Sequence, residues 1–304
     1  MQLPLRRATA APNLVPTRRA GPPSDRLTVL AARALGRARS LWAVTSRGPV
    51  HGLEVRGSGR GTAVLFHGFS STGAHLLALM RELRPAFARL VAPDLPAHGL
   101  TPALPLGSMR ADVGAAAILE ALDAWLDGPA VLVGSSLGGY VAVRAALEAP
   151  GHARALVLSS PAGAAMTAAE LDAFRARFEV PTHRSAVAFV DRVMAVGPVA
   201  RHALAWGVRR RFVRPELRAL LASVRPDDLF TREDLARLSL PVLCLWGDRD
   251  RVMPTAARDF FASALPPHAR FERLAALGHG PYLERPGAVA RRIAAFVDGL
   301  EPAR

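Results

Sequence analysis

Gly134-Ser135-Ser136-Leu137-Gly138 is the stretch of this chain best suited to covalent chemistry. The apolar run Ala130-Val131-Leu132-Val133 leads into it, and the helix-like run Gly139–Leu147 follows. That order is strand, tight turn, helix, with a serine at the apex. G-x-S-x-G in this bracket is a nucleophile elbow, whose strained turn lifts the serine hydroxyl above the sheet edge. Glycine flanks the apex because a Cβ there would meet the neighbouring strand or helix. The middle position falls on Ser136, so Ser136 rather than Ser135 is the candidate nucleophile. A hydroxyl is a poor nucleophile near neutral pH. It needs a base to take its proton, and the base needs an acid to fix its tautomer.

Nine histidines compete for the part of base. His279 is the best placed. It lies in Gly278-His279-Gly280 after the last predicted strand, where glycines let a loop carry it across the strand ends. For the acid, the loop after the strand Pro241–Trp246 reads Gly247-Asp248-Arg249-Asp250. The loop Ser160-Pro161-Ala162-Gly163 holds no carboxylate. Asp250 is preferred for its reach beyond the strand edge and for the order Ser, Asp, His expected behind such an elbow. Asp248 reads as a turn residue. As plain loop chemistry, both aspartates are turn formers.

The elements that must position these residues follow an alternating α/β rhythm. Strands are predicted at Val50–Val55, Thr62–Phe66, Arg89–Pro93, Ala130–Val133, Ala155–Ser159, Pro241–Trp246 and Ala269–Leu274. Helices are predicted at 73–84, 108–126 and 287–298. Short apolar strands between helices argue for a mostly parallel, doubly wound sheet covered on both faces. Between Pro161 and Leu240 the rhythm changes. Thr167–Phe178, Ser185–Val196, Val199–Phe212 and Glu216–Val224 are helical candidates with no strand among them, and Pro181, Pro198, Pro215 and Pro226 punctuate them. The domain reading is a core over 49–162 and 236–304, a helical cap over 163–235, and a basic N-terminal extension over 1–48.

All 39 basic residues are arginine, and the net charge of +14 is uneven. Residues 1–48 hold nine arginines and one acid, Asp25, a net of +8 that leaves +6 for the rest. Alanine and arginine richness together look like GC-rich coding. Without basic-aromatic interleaving or a binding module, no nucleic-acid partner is expected. Residues 1–25, rich in Pro, Arg and Ala, are expected to be disordered. The pairs Arg6-Arg7 and Arg18-Arg19 do not precede an uninterrupted apolar core, so export is not expected. Over 26–43, Leu27, Leu30, Ala31, Ala34, Leu35, Ala38, Leu41 and Trp42 keep helical spacing, with arginines on the flanks. Such a helix docks on the body or lies peripherally on a membrane surface, and docking is favoured. No apolar run of about 18 residues indicates a membrane span. The single cysteine, Cys244, fits a reducing, cytoplasmic compartment. Histidine spacing suggests no metal, no phosphate loop is present, and no cofactor is expected.

Taken together, the motifs resemble the α/β-hydrolase superfamily, and specifically its capped, esterase-like members. His67-Gly68 after a strand, the elbow at 134–138, Gly247-x-x-Asp250 and Gly278-His279 match in chain order, and Asp94–Gly99 resembles the family's next loop. The match spans 49–298. The resemblance implies a Ser136–His279–Asp250 triad and an oxyanion hole made by the backbone N–H groups of Phe69 and Leu137. It implies a serine hydrolase that cleaves a small, apolar carboxylic ester through an acyl-enzyme. Met166, Phe174, Phe178, Phe189, Met194, Trp206, Phe212 and Phe230 offer an apolar cap pocket or simply cap packing. Arg209-Arg210-Arg211 and Arg214 suit an anionic substrate or a solvated helix end. The resemblance leaves two alternatives. One is carbon–carbon bond hydrolysis of the meta-cleavage-product type, which Gly280 weakens because those relatives carry tryptophan after the histidine. The other is a non-catalytic ligand-binding protein on the same fold.

Overall fold

One sheet of nine strands orders the computed structural model, which describes residues 9–10 and 21–300. The chain runs β1 (Thr9–Ala10), α1 (Pro23–Gly36), β2 (Arg39–Thr45), β3 (Gly48–Arg56), β4 (Thr62–Phe66), α2 (Leu77–Leu83) and β5 (Arg89–Pro93). It continues through α3 (Ala111–Trp125), β6 (Ala130–Ser135), α4 (Leu137–Glu148) and β7 (Ala153–Ser159). Five helices follow without a strand: α5 (Ala168–Ala176), α6 (His183–Val193), α7 (Pro198–Phe212), α8 (Pro215–Ser223) and α9 (Arg232–Ala236). The sheet resumes with β8 (Val242–Gly247), α10 (Thr255–Ala264) and β9 (Arg270–Leu274), and α11 (Pro281–Glu284) and α12 (Pro286–Asp298) close the fold.

The strand order is β1-β2-β3-β5-β4-β6-β7-β8-β9. The first three strands and the β3–β5 pairing are antiparallel, and the pairings from β5 through β9 are parallel. Parallel strands need covered faces, and two separate apolar cores provide the cover. Val64, Phe66, Leu132, Leu156 and Cys244 point to one face, where Ile118, Leu122, Val143 and Phe261 pack on them. Ala63, Leu65, Val133, Val157 and Leu243 point to the other, under Leu79, Leu83, Ile293 and Phe296. The period-2 alternation of strand side chains makes this division. It also explains why these strands read as unbroken apolar runs in the sequence.

The amphipathic helix expected over 26–43 is corrected. The helix spans Pro23–Gly36, Arg37 takes a left-handed φ of 50°, and Arg39–Thr45 is a strand. β2 pairs along its whole length with β3, Leu41 opposite Gly52 and Trp42 opposite His51. The apolar spacing of Leu41 and Trp42 fits a helical period, but the left-handed Arg37 ends the helix and pairing with β3 carries both residues in the sheet. The basic extension of 1–48 therefore ends inside the sheet. Of residues 1–25, where disorder is expected, 1–8 and 11–20, including Arg6-Arg7 and Arg18-Arg19, lie outside the described residues. Among the described residues no helix is long and apolar enough to cross a membrane.

Candidate active site

Three loops at the carboxyl ends of parallel strands meet at one cleft. The first follows β6. Ser136 has φ 53° and ψ −122°, a backbone region that a residue with a side chain occupies only when its surroundings impose it. A Cβ on Gly134 would stand 2.3 Å from the Gly138 carbonyl oxygen, and one on Gly138 would stand 2.1 Å from that of Phe66. Two cross-ties hold the turn: the Ser136 N–H donates to the Ser159 carbonyl at 3.1 Å, and the Ala162 N–H donates to the Ser136 carbonyl at 2.9 Å. Leu137 is the first residue of α4, so its N–H has no acceptor within that helix.

The second loop follows β8. Asp250 Oδ1 accepts the N–H groups of Val252 and Met253 at 2.8 and 3.0 Å, and Oδ2 accepts from His279 Nδ1 at 2.9 Å. Burial works against the charge of Asp250, but His279 and the two N–H donors outweigh it and hold the carboxyl below its ordinary range. Asp248 points elsewhere and accepts from the exposed Arg273 at 2.6 Å. Of the two aspartates in this loop, Asp250 is the one that touches His279.

The third loop carries His279 after β9. It crosses the β8 loop so closely that a Cβ on Gly247 would stand 2.1 Å from the Gly278 carbonyl oxygen. The Gly278 N–H donates to Glu284, and the Gly280 N–H donates to the Val193 carbonyl at the end of α6. His279 is buried, and its ring faces the same cleft as Ser136.

Phe69 sits across the elbow, in a loop whose support the sequence motifs did not reveal. Ser70 has φ 61°, and its N–H donates to His98 Nε2 at 3.0 Å while His98 Nδ1 donates to the Pro96 carbonyl at 2.9 Å. His67 Nδ1 donates to the Gly68 carbonyl, and His67 Nε2 accepts from the Leu95 N–H at 3.0 Å. Burial lowers the pKa of His67 and takes that of His98 down to about 3. Both rings are neutral, each with one donor and one acceptor nitrogen engaged. Asp94 completes the support. It accepts from Gly73 N–H, Leu100 N–H and His51 Nδ1 at 2.7, 2.9 and 2.7 Å. Burial opposes its charge too, and His51 leads the groups that hold the pKa down regardless. Asp94 and His98 stand in a stretch recognisable by motif. Their part in tying that stretch to the Phe69 loop depends on the pairing of β3, β4 and β5.

Two spaces open from Ser136. One is an apolar chamber lined by Phe69, Leu137, Tyr140, Met166, Leu171, Phe174, Phe178, Leu220 and Met253. The other is a wider, more polar cleft lined by Ser70, Ser71, His75, Arg211, His279 and Tyr282, with Leu204 and Leu283 also on its wall. Of the aromatic and sulfur side chains expected to form a pocket, Met166, Phe174 and Phe178 line the chamber, while Phe189 and Met194 line the cleft. Phe212 is buried against Phe69 and Phe189, Phe230 stacks near Tyr140, and Trp206 is exposed. Arg211 lines the cleft and pairs with Asp25 at 2.6 Å, and Arg214 donates to the Ala97 carbonyl. The Cys244 thiol is buried, which raises its pKa, and it lies away from both spaces. Among the described residues no three His, Cys, Asp or Glu side chains form a metal-ligand cluster.

Comparison with known proteins places this geometry in context. Residues 63–292 match the sequence model of the alpha/beta hydrolase family. A pimeloyl-[acyl-carrier protein] methyl ester esterase of Methylococcus capsulatus is 33% identical over 264 residues, 81% of this chain and 98% of the relative. The corresponding esterase of Xanthomonas campestris pv. campestris is 32% identical over 82% of this chain and 99% of its own length. Among solved structures, a bacterial membrane phospholipase A superposes with a TM-score of 0.77 at 24% identity, covering 92% of this chain and 93% of that one. A carboxylesterase from Bacillus subtilis superposes at 0.72 and 22% identity, covering 91% and 99%. At these identities the two superpositions speak for the fold alone.

Proposed function

The chain belongs to the alpha/beta hydrolase family, and on that premise we propose that it hydrolyses carboxylic esters with Ser136 as nucleophile, His279 as base and Asp250 as the acid that orients it. The observation that carries this reading is the 2.9 Å contact from His279 Nδ1 to Asp250. It leaves Nε2 available to Ser136, which lines the same cleft from a strained elbow. The curated relatives are named for cleaving an ester, which supports the same bond type.

The steps follow from the groups in place. His279 Nε2 takes the Ser136 proton as Oγ bonds to the ester carbonyl carbon. The carbonyl oxygen becomes an oxyanion held by the N–H groups of Phe69 and Leu137, and each such donor contributes on the order of a hundred- to thousandfold in rate. The tetrahedral adduct collapses, the bond to the alcohol oxygen breaks, and His279 protonates that oxygen. Water, deprotonated by His279, then attacks the acyl-serine and releases the acid.

The two spaces divide the substrate. The leaving oxygen takes its proton from His279, which lines the wide cleft, so the alcohol lies there. The acyl chain enters the chamber of Met166, Leu171, Phe174, Phe178 and Leu220. All five of these side chains belong to the segment 163–235, which we assign as the cap that selects the substrate. The preferred ester therefore has an apolar acyl chain and an alcohol able to meet Ser70, Ser71 and Tyr282.

The decisive experiment is labelling with a fluorophosphonate, paired with hydrolysis of a series of p-nitrophenyl esters. Wild type should be labelled and Ser136→Ala should not. Equal labelling of both, or none of wild type, would end the serine-hydrolase reading and favour a binding protein on this fold.

A further inference from the structure

Helix α1 is apolar on two sides. Its inner side, Asp25, Val29 and Ala32, is buried against the body. Its outer side carries Leu27, Leu30, Ala31 and Ala34 at i, i+3, i+4 and i+7, and all four are exposed, with Leu27 at 68% and Leu30 at 56%. Docking to the body explains the inner stripe and leaves the outer one unexplained. Helix α7 repeats the pattern. Val199, Ala203, Trp206 and Arg210 fall at i, i+4, i+7 and i+11, Val199 is 87% exposed, and Trp206 is 58% exposed with the Arg210 guanidinium 4.6 Å over its ring.

These exposures are concentrated. Among the described residues nine large apolar side chains are exposed, and only Val44 and Leu106 lie away from α1, the α7 region and the cleft wall. Leu27 and Leu30 are on α1; Val199, Leu204 and Trp206 are on α7; Val213 follows α7; and Leu283 shares the cleft wall with Leu204. The two helices are linked through Asp25 and Arg211. Charge follows the same distribution. α7 holds Arg201, Arg209, Arg210 and Arg211 and no carboxylate; Arg201 pairs with the partly exposed Asp191 of α6, and the one acid of α1, Asp25, is buried against Arg211. The outward charge of this face is therefore positive, on a chain of net charge +14.

We propose that the outer stripes of α1 and α7 form one docking face for the surface of an anionic lipid bilayer, with the mouth of the Ser136 cleft beside it. Exposed aliphatic side chains with a tryptophan and flanking arginines suit the boundary between headgroups and acyl chains. The excess of arginine over carboxylate on this face selects anionic headgroups. No helix among the described residues spans a bilayer, so the contact is peripheral. The face would bring the cleft to esters that partition into the membrane.

The test is co-sedimentation of the full chain with phosphatidylcholine vesicles and with phosphatidylcholine–phosphatidylglycerol vesicles. The full chain should sediment with the anionic vesicles and only weakly with the neutral ones. Leu27→Ser/Leu30→Ser and, separately, Trp206→Ser should each lower the bound fraction roughly fivefold or more. Turnover of a short soluble ester should stay within about twofold, because none of these side chains lines the catalytic groups. Two variants on separate helices keep the test valid if one of them misfolds. The proposal is overturned if the chain ignores anionic vesicles or if both variants bind like wild type. It is overturned equally if deletion of 1–20 alone abolishes binding. Loss of turnover only on an ester carried by a soluble acidic protein, with vesicle binding unchanged, would reassign the face to a protein partner.

Discussion

The two walls of the cleft are built on different principles. The wall made by the sheet loops is polar and cross-tied: Ser136, Asp250, His67, His98 and Asp94 each make two or more hydrogen bonds or a bond and a forced turn. The wall made by the inserted helices is apolar and held by aromatic contact, with Phe69 edge-on to both Phe178 and Phe212. Hydrogen bonds fix atoms within tenths of an ångström, which a proton relay requires. Aromatic packing fixes shape and hydrophobicity, which can change without stopping the chemistry. On the proposed function, the first wall carries the reaction and the second the choice of substrate, and substitutions on the two walls should separate them.

The largest effects belong to the polar wall. Ser136→Ala and His279→Ala should each lower kcat by about a millionfold, with KM little changed, as measured on a saturating p-nitrophenyl ester. If either variant retains more than about one per cent activity, the proton relay is not where the geometry puts it. Asp250→Asn should lower kcat by about ten-thousandfold because the amide holds the wrong tautomer of His279. Asp248→Asn, whose carboxylate meets only an exposed arginine, should stay within about threefold of wild type. The reverse ranking would exchange the two aspartates.

The apolar wall should respond differently. Met166→Trp fills the chamber and should shift preference toward shorter acyl chains, changing the ratio of kcat/KM between long and short esters by about 10- to 100-fold. Turnover of the shortest ester should survive. An equal loss on every chain length would mean that the chamber does not receive the acyl group.

The same division decides what the sequence discloses. The elbow, the His-Gly loop and Gly278-His279 are short, local and rich in residues with one steric purpose. They are readable because a Cβ at Gly134 or Gly138 cannot be accommodated. Every strand from β3 onward was legible to within about two residues, and β4 to β8 as apolar runs. β2 was not, because Leu41 and Trp42 keep helical spacing and only their pairing with β3 makes them a strand. The supporting network of His51, Asp94 and His98 was not legible either. Its partners are up to 43 residues apart and meet only through sheet register. The chamber was visible as composition alone: eight aromatic and sulfur residues stood out, and nothing in their spacing separated Met166 and Phe174 from the exposed Trp206.

The smallest effect, and the sharpest probe of the polar wall, is its pH dependence. His67 and His98 are buried and neutral, with folded pKa values below the ordinary 6.5, that of His98 at about 3. The unfolded chain takes up these protons first, so stability is full above about pH 6.5 and falls as the pH drops toward the folded value. Each group costs at most about 1.4 kcal/mol per pH unit within that window. Urea denaturation between pH 7 and pH 4 should show this slope. His98→Gln removes one titrating group while its amide oxygen can still accept the Ser70 N–H. The variant should lose part of the slope and keep kcat near wild type at pH 7. An unchanged slope would mean that His98 does not titrate on unfolding as its burial requires. A kcat loss as large as that of Asp250→Asn would give His98 a direct part in the chemistry rather than a positioning one.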